Sequence, residues 1–215
     1  MPDLREEAGL RDAFTLGAAA PIAGLDEAGR GPCAGPVVAA AAVLHSDGLP
    51  PAIADILDDS KKIPPKRRDA LFAALTANGV LADYAIAQAD VAEIDRLNIL
   101  QASLLAMRRA LAKLCSPPAG ALVDGNQDPR LGVPTVTLVK GDGRSLSIAA
   151  ASILAKVTRD RMMADLARQH PGYGWETNQG YGSKAHLVAL GQLGVTIHHR
   201  RSFAPVRALL DIEPR

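Results

Sequence analysis

The chain has 215 residues, of which 48% are hydrophobic and 22% charged, and its formal net charge at pH 7 is +1. This length and apolar content suffice for one globular domain with its own core. The charge balance excludes a uniformly basic nucleic-acid binder, so a phosphate-binding surface would have to come from local clusters. The longest apolar run, Val37–Leu44, is far below the ~20 residues of a membrane span, and the acidic opening is unlike a signal peptide. We therefore expect a cytoplasmic protein without membrane contact.

The first half of the chain predicts an opening segment followed by three strands. Residues 1–20 show little order signal, so we expect a flexible N-terminal extension before a domain that spans 21–215. Apolar segments then predict one strand that ends at Asp26 and two more over 36–44 and 81–89. Their short connections favour antiparallel pairing.

The second half of the chain alternates helices with short strands. Two apolar segments, 121–123 and 136–139, each run toward an aspartate beside a glycine, and we predict a strand for each. This arrangement indicates an α/β fold with a mixed five-stranded sheet flanked by helices, and a small C-terminal helical part after about residue 170. Apolar spacing and helix-start signals predict helices over about 65–77, 94–114, 146–169, 184–193 and 206–212.

Four acids follow strand-like apolar segments, namely Asp26, Glu27, Asp124 and Asp142. Carboxylates that lie close together raise one another's pKa unless a positive charge holds them. Hard divalent cations prefer oxygen ligands, and two such ions roughly 3.5–4 Å apart can activate water and stabilise a leaving oxygen. Taken alone, Asp124 and Asp142 would more often start simple Asp-Gly turns. The context shared by all four acids favours a metal site.

A glycine-rich loop follows the first two acids. Gly29 and Gly31 allow the backbone to approach a ligand because no Cβ intervenes. Arg30, which lies between them, offers a planar set of donors suited to phosphate. Together with the acids, this loop indicates a metal-assisted site for a phosphorylated substrate, whereas the loop by itself is equally typical of a hairpin with solvated charges.

Eight motifs in this chain resemble, in order, those of the ribonuclease HII family. The resemblance covers about residues 20–207 and implies an RNase H-like fold. It also implies an endonuclease, dependent on Mg²⁺ or Mn²⁺, that hydrolyses RNA in RNA/DNA hybrids and at single ribonucleotides embedded in duplex DNA. The motifs are 24–32 (GLDEAGRGP), 59–62 (DSKK), 98–100 (NIL), 123–125 (VDG), 140–142 (KGD), 149–160 (AAASILAKVTRD), 180–182 (GYG) and 199–203 (HRRSF).

The resemblance also implies a role for each acid. Asp26 would bridge two ions, Glu27 and Asp124 would complete one ion site, and Asp142 would serve the ion that holds the attacking water. Cleavage would fall 5′ of the ribonucleotide and leave a 3′-hydroxyl and a 5′-phosphate, as needed in ribonucleotide removal during DNA replication and repair. Neighbouring strand residues point to opposite faces, so Asp26 and Glu27 share a site only if the strand bends there.

Substrate-binding residues are implied in the same way, and the enzyme is expected to act as a monomer. Gly29, Arg30 and Gly31 match the segment whose backbone reads the ribose 2′-hydroxyl, the group that distinguishes RNA from DNA. Tyr181 matches a tyrosine that stacks on the sugar after the ribonucleotide, and a core-edge tyrosine is the alternative. For Ser60 and Lys61 we favour phosphate contacts over a solvated helix start. The basic segment 199–201 is expected to be mainly a structural anchor.

Two other functions remain open at this point. A second RNase H-fold nuclease, such as a DNA junction resolvase, would share the metal chemistry without reading a 2′-hydroxyl. A hybrid-binding protein without catalysis would have no use for four acids. The chain departs from the family pattern at Cys33, where an aliphatic residue is common, and at Asn178-Gln179, which replace a frequent basic residue.

Overall fold

Five strands form one mixed sheet in the order β3-β2-β1-β4-β5. The computed structural model describes residues 1–45, 49–60, 62–77, 79 and 81–210. β1 pairs antiparallel with β2 and parallel with β4, which confirms the predicted mixed sheet. The strands are β1 (Ile22–Ala28), β2 (Val37–Leu44), β3 (Ala82–Ala89), β4 (Gly120–Asp124) and β5 (Thr135–Leu138).

Helices cover both faces of this sheet. In β2, alternate alanines lie in two different cores: Ala39 packs with Met107 on one face, and Ala40 packs with Leu154 on the other. Because both faces are buried, the strand is a continuous apolar run rather than an alternating one. Within the described residues the helices are α1 (Arg5–Ala13), α2 (Pro51–Ala54), α3 (Pro65–Thr76), α4 (Val91–Leu97), α5 (Ile99–Ala112), α6 (Leu146–Gln169), α7 (Trp175–Asn178), α8 (Lys184–Leu193) and α9 (Ala204–Leu210).

The single helix predicted over 94–114 is in fact two helices, α4 and α5. The break is Asn98, whose φ is +69° and whose side-chain oxygen accepts a hydrogen bond from the Gln101 amide at 3.1 Å. Asparagine tolerates positive φ better than most residues and is a favoured N-cap. The apolar stripe continues across the break, so periodicity alone did not reveal it.

The N-terminal segment differs from the flexible extension that we expected for 1–20. Helix α1 buries Glu7 and Leu10, and the Glu7 carboxylate accepts hydrogen bonds from the Ser145 hydroxyl at 2.6 Å and the Ser147 amide at 3.0 Å. These donors lie at the start of α6, where the helix dipole and unpaired amides favour an anion. Order in this segment therefore depends on contacts about 140 positions away along the chain.

The C-terminal helices enclose a small core of their own. Trp175 is fully buried and packs with Tyr173 and Met163. Cys33 lies in the same core, whereas Cys115 is exposed. None of the helices in the described residues is long and apolar enough to cross a membrane.

Candidate active site

A cleft of about 470 Å³ lies at the carboxyl ends of β1 and β4. The parallel register pairs Leu25 with Val123, so the next residues come side by side: Asp124 ends β4, and Asp26 lies two residues before the end of β1. Three residues that we had not assigned to the site, Ser152, Lys156 and Arg159, also line this cleft. The predicted residues along it are Asp26, Glu27, Asp124, Asp142, Gly29, Arg30, Gly31, Ser60 and Tyr181. Lys61 lies outside the described residues.

Asp26 is the most enclosed of the four acids, with only 6% of its surface exposed. Burial, together with the neighbouring charges of Glu27 and Asp124, raises the pKa of its carboxyl well above the ordinary value. Hydrogen bonds from the Ser152 hydroxyl and from the Glu27 amide, the latter at 2.7 Å, oppose this rise. The ionised carboxylate is therefore costly unless a cation accompanies it.

A backbone hydrogen bond links Asp124 to the turn that carries Asp142. The Gly141 amide donates to Asp124 Oδ1 at 2.7 Å. The next residue, Asp142, lies in a short 3₁₀ turn (Gly141–Gly143) after Lys140, whose φ is +57°. Asp142 is therefore not at a strand end, as the sequence had indicated, but in a turn that follows β5. The turn brings Asp142 to the same cleft while one of its amides orients Asp124.

Glu27 forms an ion pair with Arg30 across the turn that follows β1. Arg30 Nη1 lies 3.3 Å from Glu27 Oε1, and the arginine side chain is about half exposed. An exposed pair of this kind contributes little free energy. Gly29 starts the turn with φ +99°, and Asp26 and Glu27, which are neighbours near the end of β1, both line the cleft.

The donor set at the base of the cleft fits an oxygen-preferring divalent ion. The carboxylates of Asp26, Glu27 and Asp124 interact closely enough to raise the pKa of Asp26, a cost that a bound cation would remove. As the side chains stand, no three Asp, Glu, His or Cys groups among the described residues are gathered tightly enough to hold an ion. The residues therefore fit the ion in chemistry and location, and the carboxylates would converge as it binds.

Two buried arginines hold the glycine loop in place. Arg200, which is fully buried, donates to the carbonyl oxygens of Gly29 at 2.6 Å and Arg30 at 3.1 Å. Arg159 donates to the carbonyls of Pro36 and Gln179, both at 3.1 Å. Burial lowers the pKa of Arg200 to about 9 and that of Arg159 to about 10, so both carry a positive charge at neutral pH.

The structural role predicted for segment 199–201 is confirmed for Arg200, but the part of Arg159 was missed. Lys156, Asp160 and Arg161 lie close to it in the middle of α6, so no local signal sets Arg159 apart as a buried residue. Gly29 is required beside it, because a Cβ there would overlap the Arg159 guanidinium.

Tyr181 stands directly beside the glycine loop. A Cβ added to Gly31 would lie 3.1 Å from Tyr181 Cε1, and the tyrosine is half exposed on the cleft side. Asn178 shapes this turn: its amide nitrogen donates to the Tyr173 carbonyl at 2.7 Å, and its oxygen accepts from the Gly180 amide at 2.8 Å. The departure from the family pattern at Asn178 is therefore a structural feature of the Tyr181 turn.

Hydroxyl and ammonium groups also belong to the lining of the cleft. Ser60 is 5% exposed, and its Oγ lies 2.9 Å from Ser152 Oγ. Lys156 Nζ lies 2.7 Å from Asp160 Oδ1. The lining therefore contains hydrogen-bond donors suited to a negatively charged substrate, and Ser152 connects Ser60 with Asp26.

A mixed sheet that brings carboxylates to the ends of adjacent central strands, with arginine, lysine and an exposed tyrosine around them, defines an RNase H-like nuclease. The family model described as Ribonuclease HII matches residues 23–206, and the chain belongs to that family. It is a ribonuclease H endonuclease that acts on nucleic acid.

Known proteins resemble the chain over most of its length. Ribonuclease HII from Rhodospirillum rubrum is 59% identical over 190 residues, which are 88% of this chain and 86% of that protein. Among solved structures, the ribonuclease H2 from Pyrococcus horikoshii OT3 is 29% identical with a TM-score of 0.74, and covers 89% of this chain and 97% of its own. Bst-RNase HIII in complex with Mn²⁺ has a TM-score of 0.71 at 21% identity, over 90% of this chain and 70% of its own, and shows the shared fold.

Proposed function

We propose that this enzyme cleaves at single ribonucleotides embedded in duplex DNA, on the 5′ side, as well as within RNA/DNA hybrids. The observation that carries the proposal is the close approach of the Tyr181 ring to Gly31 in the lining of the cleft, where a Cβ on Gly31 would lie 3.1 Å from Tyr181 Cε1. Backbone groups without a Cβ can approach a ribose 2′-hydroxyl. A flat aromatic face beside them suits the deoxyribose that follows, because that sugar lacks the polar 2′-hydroxyl.

The reaction is hydrolysis of the phosphodiester on the 5′ side of the ribonucleotide. A water oxygen bonds to phosphorus while the bond to the 3′-oxygen of the preceding nucleotide breaks. The products are a 3′-hydroxyl on that nucleotide and a 5′-phosphate on the ribonucleotide. Arg30, which is half exposed and only weakly paired with Glu27, and Lys156 would bind the phosphate oxygens of the strand.

Divalent metal ions are part of this proposal. Enzymes of the ribonuclease H family depend on divalent metals, and the fold neighbour described above is a Mn²⁺ complex. We propose that two ions, Mg²⁺ or Mn²⁺, would be held by Asp26, Glu27, Asp124 and Asp142. When bound, such ions activate water and stabilise a leaving oxygen. The Ser152 hydroxyl and the Gly141 amide would orient Asp26 and Asp124 for that task.

The remaining expectations are proposals of the same kind. A monomeric enzyme stays a prediction from the sequence. Ser60 would contact phosphate from its place beside Ser152. A phosphate contact of Lys61 and a location in the cytoplasm stay predictions from the sequence.

The test uses three duplexes of equal length: one with a single ribonucleotide, one of DNA only, and one with a continuous RNA strand on DNA. We expect cleavage of the first and third duplexes, dependent on Mg²⁺ or Mn²⁺, and none of the DNA duplex. End mapping should give a 3′-hydroxyl and a 5′-phosphate at the ribonucleotide. Cleavage of the DNA duplex would instead indicate a resolvase-type enzyme, and binding without cleavage a hybrid-binding protein.

A further inference from the structure

A chain of buried hydrogen bonds runs from the C-terminal core to the main chain of Tyr181. The Trp175 indole donates to His186 Nε2 at 2.9 Å. The Thr196 amide donates to His199 Nδ1 at 3.0 Å, and His199 Nε2 lies 3.3 Å from His186 Nε2. At the other end, His186 Nδ1 lies 2.8 Å from the Tyr181 carbonyl oxygen. His186 and His199 are almost completely buried.

The donors at each end decide where the imidazole protons lie. Because the Trp175 indole can only donate, His186 Nε2 is an acceptor, and the proton of the neutral ring is on Nδ1. His186 Nδ1 therefore donates to the Tyr181 carbonyl, which can only accept. His199 likewise accepts at Nδ1 and carries its proton on Nε2. Burial lowers the pKa of both histidines, which keeps the rings neutral.

These hydrogen bonds join helix α8 to the exposed tyrosine of the cleft. His186 lies in the first turn of α8, where its amide donates to the Ser183 hydroxyl, the N-cap of that helix, at 3.2 Å. Tyr181 itself is half exposed, and its ring lies so close to Gly31 that a Cβ there would be 3.1 Å from Cε1. The main-chain carbonyl of Tyr181 is therefore fixed by buried groups, while the ring remains available to substrate.

We propose that His186 is a positioning residue that sets the Tyr181 ring beside Gly31 by holding the Tyr181 carbonyl. This inference rests on the proposed function, in which Tyr181 reads the sugar after the ribonucleotide. His186 does not touch substrate, and it acts only through Tyr181. A displacement of about 1 Å at a positioning group can cost up to about 100-fold in rate. Because His186 acts through Tyr181, the loss of rate should be confined to substrates whose cleavage needs the tyrosine.

Two conservative variants distinguish the hydrogen bond at His186 Nδ1 from the one at Nε2. In His186→Asn the side-chain amide can occupy the Nδ1 position and keep the donor to Tyr181, but it loses the acceptor for Trp175. In His186→Gln the amide can reach the Nε2 position and accept from Trp175, but it loses the donor to Tyr181. Each variant removes one hydrogen bond of the same buried ring, so each serves as the stability control for the other.

The first readout is kcat/KM on the single-ribonucleotide duplex and on the continuous hybrid. We expect His186→Gln to slow the first about tenfold with little change in the second, and His186→Asn to keep the wild-type ratio. In a Tyr181→Ala background the Gln change should have no further effect on the ratio. A ratio unchanged by His186→Gln, or lowered equally by both variants, would overturn the proposal.

The second readout does not depend on substrate. The chain has three tyrosines, so 3-fluorotyrosine labelling gives three ¹⁹F resonances, which single Tyr→Phe variants assign. We expect His186→Gln, and not His186→Asn, to shift the Tyr181 resonance, and an unmoved resonance would contradict the positioning role. If Tyr181→Ala leaves the substrate ratio unchanged while the resonance still depends on His186, the reading role of Tyr181 fails and the positioning role stands.

Discussion

The two ends of the cleft are built in different ways. At the acid end, Asp26, Glu27 and Asp124 lie within or at the ends of two adjacent parallel strands, so the sheet places them. At the reading end, the loop around Gly31 and the turn around Tyr181 belong to no strand. They are held by side chains distant in sequence: Arg200 bonds to carbonyls about 170 positions earlier.

This difference in construction indicates that the two ends of the cleft have different roles. Strand ends give the rigid placement that metal ligands need. In the proposed function, the loop and turn held by buried donors would bring the Gly31 backbone and the Tyr181 ring to the sugars of the substrate. A change at the acid end should therefore affect all substrates alike, whereas a change at the reading end should alter the choice among substrates.

The largest effect is expected from removing a carboxylate at the acid end. Asp124→Asn and Asp142→Asn should each lower kcat/KM on the order of 10³-fold on every substrate, because several kcal/mol of charge stabilisation are lost at about 1.4 kcal/mol per factor of ten. The fold should survive. Asp165→Asn, a change at an exposed acid that pairs with Arg168 and does not line the cleft, is the control. Near-wild-type turnover with normal Mg²⁺ dependence would remove these acids from the site.

The next effect concerns the buried support of the reading end. Arg200→Met should lower the free energy of unfolding by about 2–4 kcal/mol, because several buried carbonyls lose their donor at about 1–3 kcal/mol each. Arg200→Lys should recover little, since an ammonium lacks the planar spread of donors. Urea unfolding measures this, with Arg207→Met, a change at an exposed arginine of α9, as the control. A stability loss equal to that of the control would contradict the anchoring role.

A smaller change is expected from one methyl group in the glycine loop. A Cβ at Gly31 would lie 3.1 Å from the Tyr181 ring, so Gly31→Ala should displace the ring or the loop and slow single-ribonucleotide cleavage about tenfold. Gly182→Ala is the matched control, because a Cβ there meets only ordinary contacts at 3.7 Å and beyond. Both rates are measured on the same duplex. Equal rates for the two variants would refute the close approach at Gly31.

The smallest effect is a pH dependence of the metal-free protein. The pKa of Asp26 is raised above its ordinary value of 3.8 by burial and by Glu27 and Asp124. The group therefore contributes its full stability below the unfolded pKa and loses it as pH rises through the folded pKa. Thermal unfolding should show Tm falling from about pH 4 upward relative to Asp26→Asn, and Mg²⁺ should suppress the fall. Parallel pH profiles for the two proteins would contradict this origin of the shift.

The sequence was most informative at the acid end. A carboxylate directly after a buried apolar strand is a local pattern, so Asp26 and Asp124 could be placed without knowing the rest of the fold. The turn that carries Asp142 was harder, because a short 3₁₀ segment has no periodicity. The break at Asn98 was not predicted. The apolar stripe continues across it, and a positive φ at an asparagine leaves no trace in the hydrophobic pattern.

The reading end and the N-terminal helix could not be predicted from local pattern. Arg159 and Arg200 donate to carbonyls of a loop far away in the sequence. The residues around each arginine do not indicate that partner. The ordered contact of Glu7 with Ser145 and Ser147 has the same origin. Family resemblance supplied Gly31 and Tyr181, but only the fold put them in contact.

The central claim is that the enzyme reads a ribose and the deoxyribose after it with the Gly31 backbone and the Tyr181 ring. The most direct measurement is the ratio of kcat/KM for the single-ribonucleotide duplex to that for the continuous hybrid, in the wild type and in Tyr181→Ala. Stacking of this kind is worth about 1–3 kcal/mol, so the ratio should fall by about fivefold to 150-fold in the variant. If both rates drop by the same factor, Tyr181 does not read the junction.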